Sequence, residues 1–161
     1  MATAFPAVGS EAPPFSAPDQ HESVVTLDGQ RGKWVVLYFY PRDNTPGCTK
    51  EACSFRDRNT EIAALGATII GVSTDSTGSH AKFATKFDLP FSLLADTDHE
   101  IASAYGAWGL KKNYGREYEG ITRSTVIIDP EGKVAKVWRS VKPASHGDQV
   151  LEWLKANTST A

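Results

Sequence analysis

Residues 34–48, WVVLYFYPRDNTPGC, decide how the chain folds. Trp34 to Tyr40 is an unbroken β-branched and aromatic run without polar alternation, the pattern of a central strand covered on both faces. Pro41 ends that strand, and a loop of Arg42, Asp43 and Asn44 leads into the helix start at Thr45, Pro46, Gly47 and Cys48. Thr45 is a favoured N-cap residue, and Pro46 then falls at N1, where its missing N–H costs nothing. That register puts Gly47 at N2 and Cys48 at N3. The Cys48 sulfur would lie near unpaired backbone N–H groups at the positive end of the helix dipole, a setting that stabilises thiolates.

Working outward, the helix is expected to run to about Leu65, where Gly66 closes it. Residues 67–73 (ATIIGVS) form a second buried strand. Ser79 to Phe87 has helical spacing, Phe91 to Ala95 is a short strand and Asp98 to Tyr105 a short helix. Gly106 to Gly120 is expected to be a long loop. Arg123 to Ile128 and Val134 to Trp138 flank the turn residues 129–132 (DPEG), a hairpin signature. Pro143 to Lys155 closes the chain as an amphipathic helix. Residues rich in Ala, Pro and Ser at the start suggest an extended entry arm. The expectation is one α/β domain over residues 1–161, a central mixed sheet flanked by helices, with residues 1–7 and 156–161 loosely ordered.

Composition narrows the function. Seventeen Lys and Arg against nineteen Asp and Glu leave a formal charge of −2, which argues against nucleic acid or an anionic membrane as the main partner. Met1 to Phe15 lacks the basic and apolar regions of an export signal, and no apolar run is long enough for a membrane span. The expected location is cytoplasmic. With only two cysteines, Cys48 and Cys53, a disulfide-rich scaffold and a four-cysteine metal site are both excluded.

The two thiols carry the chemistry. Five residues along an ideal helix separate the Cα atoms by about 8.6 Å, beyond the roughly 7 Å that a disulfide spans. If both are helical they cannot pair unless the first turn unwinds, and a turn containing glycine is where melting is cheapest. A buried inert thiol at Cys48, a static disulfide and a zinc site all compete with a dithiol redox couple. The zinc alternative lacks further cysteines, and His21, His80, His99 and His146 are scattered singly. Residues 96–100 (DTDHE) suggest helix-capping acids more than metal ligands, and Asn157 to Ser159 is a glycosylation sequon by pattern only.

Residues 41–57, PRDNTPGCTKEACSFRD, resemble the active-site segment of peroxiredoxins, with the P-x-x-x-T-x-x-C pattern. The continuation T-x-E-x-C is similar to the Q-type branch, the bacterioferritin comigratory proteins. The likeness extends from Val8 and Gly9 to the last helix and includes residues 120–125 (GITRST). It implies a thioredoxin-like fold and reduction of hydrogen peroxide and organic hydroperoxides without metal, haem or flavin. It casts Cys48 as the peroxidatic thiolate and Cys53 as the resolving cysteine, with a thioredoxin- or glutaredoxin-type reductant and a monomeric state. Thr45 would hold thiolate and peroxide, Pro41 would shield the pocket, Arg123 would stabilise developing negative charge and Glu51 would support their hydrogen bonding. Some members of the branch place the second cysteine in the following helix, which here has none around Ala84. A general thiol–disulfide oxidoreductase and a non-enzymatic redox switch stand as alternatives; the C-x-x-C of thioredoxins is absent.

Overall fold

A computed structural model describes residues 5–113 and 115–158. Of the expected loose ends at 1–7 and 156–161, residues 1–4 and 159–161, and with them Ser159 of the sequon, lie outside the described residues. The chain starts with the short strands β1 (Ser16–Pro18) and β2 (Val24–Thr26), followed by β3 (Trp34–Phe39) and α1 (Pro46–Ala64). Then come β4 (Ala67–Ser73), α2 (Thr77–Phe87), β5 (Ser92–Ala95) and α3 (Glu100–Ala104). The last part holds β6 (Trp108–Asn113), β7 (Arg116–Ile121), β8 (Ser124–Ile128), β9 (Val134–Trp138) and α4 (His146–Asn157). No helix among the described residues is long and apolar enough to cross a membrane.

The central sheet has five strands in the order β5-β4-β3-β8-β9. Strands β3, β4 and β5 run parallel, while β8 is antiparallel to β3 and β9 to β8. β3 occupies the middle, as its composition required. Its alternate side chains serve two separate cores: Val35, Leu37 and Phe39 face Ile101 and Tyr105, while Val36, Tyr38 and Tyr40 share a cluster with Cys48, Ala52 and Phe55 of α1. Gly66, at φ +81, closes α1 as expected.

Three local expectations need correction. Residues 106–120 are not a loop; β6 and β7 form an antiparallel hairpin, with Trp108 opposite Ile121 and Lys111 opposite Tyr118. Its strands leave Leu110 and Tyr118 exposed, so no buried stripe marks them in the sequence. The extended entry arm carries β1, which pairs with β2. α2 begins before Ser79, because Ser76 is its N-cap and its hydroxyl accepts from the Ser79 N–H. Pro143–Ser145 is a separate 3-10 turn, and α4 starts at His146 and continues past Lys155 to Asn157. Asp96 does cap α3, accepting from the backbone N–H groups of Ile101 and Ala102.

α4 fixes the lower half of α1. Val150, Leu151 and Leu154 pack with Phe55 and Ile62. The ring of His146 is edge-on to both Phe55 and Trp138, and its Nε2 lies 2.8 Å from Thr125 Oγ1. Burial pushes the His146 ring down to about 4. The Gly147 N–H donates to Ser54 Oγ at 2.7 Å. A Cβ at Gly147 would clash with the Ser54 carbonyl oxygen, so the helices meet backbone to backbone. Gly147→Ala is therefore expected to lower stability by about 2 kcal/mol or more through overpacking, read as a shift of the urea midpoint. An unchanged midpoint would mean the contact relaxes freely.

Candidate active site

α1 begins where the motif placed it, with Thr45 as the N-cap residue in extended conformation and Pro46 at N1. Cys48 in the first turn is 1% exposed and packs under the sheet. Thr45 does not cap with its side chain. Its hydroxyl donates instead to the Arg42 carbonyl at 3.0 Å, closing the loop on itself. With its proton directed there, the Thr45 oxygen keeps lone pairs that can accept from an incoming O–H. Pro41 is half-buried and is separated from the end of β3 by one residue, Tyr40.

Sequence distance alone could not join Arg123 to Cys48; the sheet does it. β8 lies antiparallel to β3 with Ser124 opposite Phe39, so Arg123 emerges beside the loop that leads into α1. Its Nη2 donates to Cys48 Sγ at 3.3 Å and its Nη1 donates to Glu51 Oε1 at 2.7 Å. A Cβ at Gly47 would stand 3.0 Å from Arg123 Nη2. Glycine at N2 thus leaves room for the guanidinium.

Glu51 is fully buried, which a first-turn carboxylate facing solvent would not be. Burial pushes its carboxyl up to about 7, although Arg123 pulls the other way. Arg123 stays charged, because Glu51 and Cys48 outweigh its own desolvation. Glu51 Oε2 and the Tyr38 hydroxyl are buried without a hydrogen-bond partner among the described residues. Burial, reinforced by Glu51 and Cys48, keeps the Tyr38 phenol protonated. Lys111 of β6 donates to the Ile121 carbonyl at 2.7 Å. Burial and then Arg123 lower its pKa, while Cys48 opposes them. Neither Tyr38 nor Lys111 carries a sequence signal for the site: one looks like any core aromatic of β3, and the other sits in a segment that reads as a loop.

Cys53 lies farther along the same helix, half-buried, and both cysteines are free thiols. Both are helical, so the geometric obstacle to pairing stands. His80, isolated in the sequence, is buried against Asp43 in the fold.

A permanent cation bonded to a buried thiol suits a reaction in which negative charge moves from sulfur to a departing oxygen. That places the chain in the class of thiol peroxidases on a thioredoxin-like fold. Residues 8–137 match the AhpC/TSA family, and the chain belongs to it as a peroxiredoxin of the Q-type, bacterioferritin comigratory branch. It is similar to Peroxiredoxin Bcp of Bacillus subtilis (strain 168), 51% identical over 148 residues, or 92% of this chain and 94% of the relative. It is also similar to the solved structure of Xanthomonas campestris Peroxiredoxin Q, with a TM-score of 0.88, 39% identity, and coverage of 94% of this chain and 99% of that one. A structure of Xanthomonas campestris Bacterioferritin Comigratory Protein, described for its alkyl peroxide reduction activity, gives a TM-score of 0.88 at 38% identity, covering 95% and 100%.

The buried carboxyl has a consequence for stability. Glu51 titrates near 7 in the fold, above the ordinary 4.5, so its protonated form favours folding. That contribution is complete below the unfolded value and is lost as pH rises through the folded one. Between about pH 5 and about pH 8, the wild type should lose about 2 kcal/mol relative to Glu51→Gln in urea unfolding. Parallel curves for the two proteins would show Glu51 ionised throughout.

Proposed function

We propose that the chain reduces hydrogen peroxide and organic hydroperoxides through Cys48, with Cys53 as the resolving thiol. The observation that carries this is the Arg123 Nη2 bond to Cys48 Sγ at 3.3 Å. The alkyl peroxide reduction described for the Xanthomonas campestris protein supports the substrate class.

In the proposed cycle the Cys48 thiolate attacks the terminal oxygen of ROOH. The S–O bond forms as the O–O bond breaks, and RO⁻ leaves and takes a proton to become alcohol or water. Arg123 remains charged throughout and stabilises the anion as charge passes from sulfur to the leaving oxygen. Thr45 accepts from the peroxide O–H and Pro41 limits water at the pocket. Glu51 holds Arg123 in place and, when protonated, leaves more of the guanidinium charge to the sulfur. Cys48 is now a sulfenic acid. The Cys53 thiolate attacks that sulfur and expels hydroxide, which is protonated to water, giving an intramolecular disulfide. A thioredoxin- or glutaredoxin-type dithiol returns two electrons and restores both thiols. The cycle uses the two thiols alone, within a single domain spanning 1–161, and we place it in the cytoplasm, in a monomer.

Stopped-flow fluorescence with hydrogen peroxide tests the assignment. Cys48→Ser should abolish the fast phase, and Arg123→Lys, which loses the paired donors, should slow it about 100-fold. Equal peroxide consumption by wild type and Cys48→Ser would overturn the enzyme reading. Mass spectrometry after one equivalent of peroxide should show a Cys48–Cys53 disulfide in the wild type and a sulfenic acid in Cys53→Ser. A persistent sulfenic acid in the wild type would remove Cys53 from the cycle.

A further inference from the structure

Beneath the loop that enters α1 lies a polar cluster that the cycle above does not use. Asp43, Asp75 and His80 bring ligand-type atoms within 4.8 Å of one another, a spacing that would suit a metal ion. Those atoms are already engaged by the protein. Asp43 Oδ1 accepts from the Tyr40 hydroxyl at 2.5 Å, and Oδ2 accepts from the Ser79 hydroxyl at 2.7 Å. His80 Nδ1 lies 2.7 Å from the same Oδ2, and its Nε2 lies 2.9 Å from the Leu94 carbonyl oxygen. The Asp43 backbone N–H donates to Asp75 Oδ2 at 2.8 Å, which also accepts from the Ser73 hydroxyl at 2.7 Å. The cluster therefore joins the loop to the ends of β3 and β4, to the first turns of α2 and to β5.

Two features make this more than packing. The two ring nitrogens of His80 lie within hydrogen-bond reach of oxygens on different elements, Nδ1 of Asp43 Oδ2 and Nε2 of the Leu94 carbonyl, and Nδ1 also lies 3.3 Å from the Tyr40 hydroxyl. The ring, fully buried, is thus placed as a two-ended clamp between Asp43 and β5. The second feature is Asn44, next in the chain, at φ +57. Asn tolerates the left-handed region better than most residues with a Cβ, and the sharp turn it makes here needs its neighbours held on both sides. The Asp43 cluster supplies that constraint on one side of Asn44, and the Thr45 bond to the Arg42 carbonyl supplies it on the other.

We propose that His80 is a positioning residue for the peroxidase reaction: by clamping Asp43 it fixes the loop bearing Pro41 and Thr45, and so sets where α1 starts and where Cys48 meets Arg123. The inference rests on Cys48 being the peroxide-reactive thiol. It also assigns the hinge. With the loop held through Asp43, the unwinding that joins Cys48 to Cys53 is confined to the turn after Thr45.

The two ends of the clamp can be separated chemically. The side-chain amide of Asn can stand near the Nδ1 position that faces Asp43, and that of Gln near the Nε2 position that faces the Leu94 carbonyl. Stopped-flow measurement of the peroxide reaction in full-length His80→Asn and His80→Gln, with thermal unfolding of each, tests the proposal. His80→Asn should react within about threefold of wild type, and His80→Gln about tenfold slower, since a misplacement near 1 Å can cost about 100-fold. Matched rates for the two variants, whatever their melting temperatures, would reduce His80 to a structural residue and overturn the proposal, as would a slower His80→Asn. Should neither variant fold, Ser79→Ala removes another donor to Asp43 Oδ2; slowing of about threefold supports the clamp, and the wild-type rate overturns it. A wild type with no fast phase would instead overturn the assignment of Cys48. A fast wild type with matched variants overturns the role of His80 alone.

Discussion

The guanidinium of Arg123 holds the site together, because among the described residues it bonds both the Cys48 sulfur and the Glu51 carboxylate. It can do so only because of sheet topology. β3 ends at the loop that starts α1, and β8 begins directly opposite, with Ser124 across from Phe39. A parallel neighbour at that position would present its C-terminal end, and the arginine would need a different place in the sequence. The cation is also tuned by what surrounds it. A buried carboxylate that was always ionised would claim much of the guanidinium charge. Burial pushes Glu51 up to about 7, so near neutrality that claim is weakened while its hydrogen bond to Arg123 remains available.

How much of this was legible follows from how each feature writes itself into sequence. A strand covered on both sides must be apolar throughout, so Trp34 to Tyr40 declared itself, and Thr45 with Pro46 marked a helix start within one turn of structure. The β6–β7 hairpin buries neither face fully, so its strands carry Lys, Glu and Gly in the proportions of a loop and leave no period to detect. Arg123 could be matched to the site only by family likeness, since no local pattern links residues 72 or 75 positions apart. Glu51 was visible, yet its burial was not. A first-turn acid has the same local rationale whether it meets water or a guanidinium. Asp43 and His80 are single polar residues in different elements, and only tertiary contact turns them into a pair.

The five-residue gap between the cysteines poses the question of which thiol must move in the proposed cycle. Cys53 is followed by Ser54, whose backbone lies hard against Gly147 of α4 and whose hydroxyl accepts from it. Moving that end would separate helices joined through Val150, Leu151 and Phe55, a buried apolar interface worth several kcal/mol by its area. Cys48 is held more lightly. Gly47 weakens the first turn, and the sulfur is tethered through its Arg123 contact. That contact is strongest while the sulfur is an anion and weakens once it becomes a neutral sulfenic acid. In the proposed cycle, oxidation itself would therefore loosen the end that has to travel, while α4 would keep Cys53 where the sulfur must arrive.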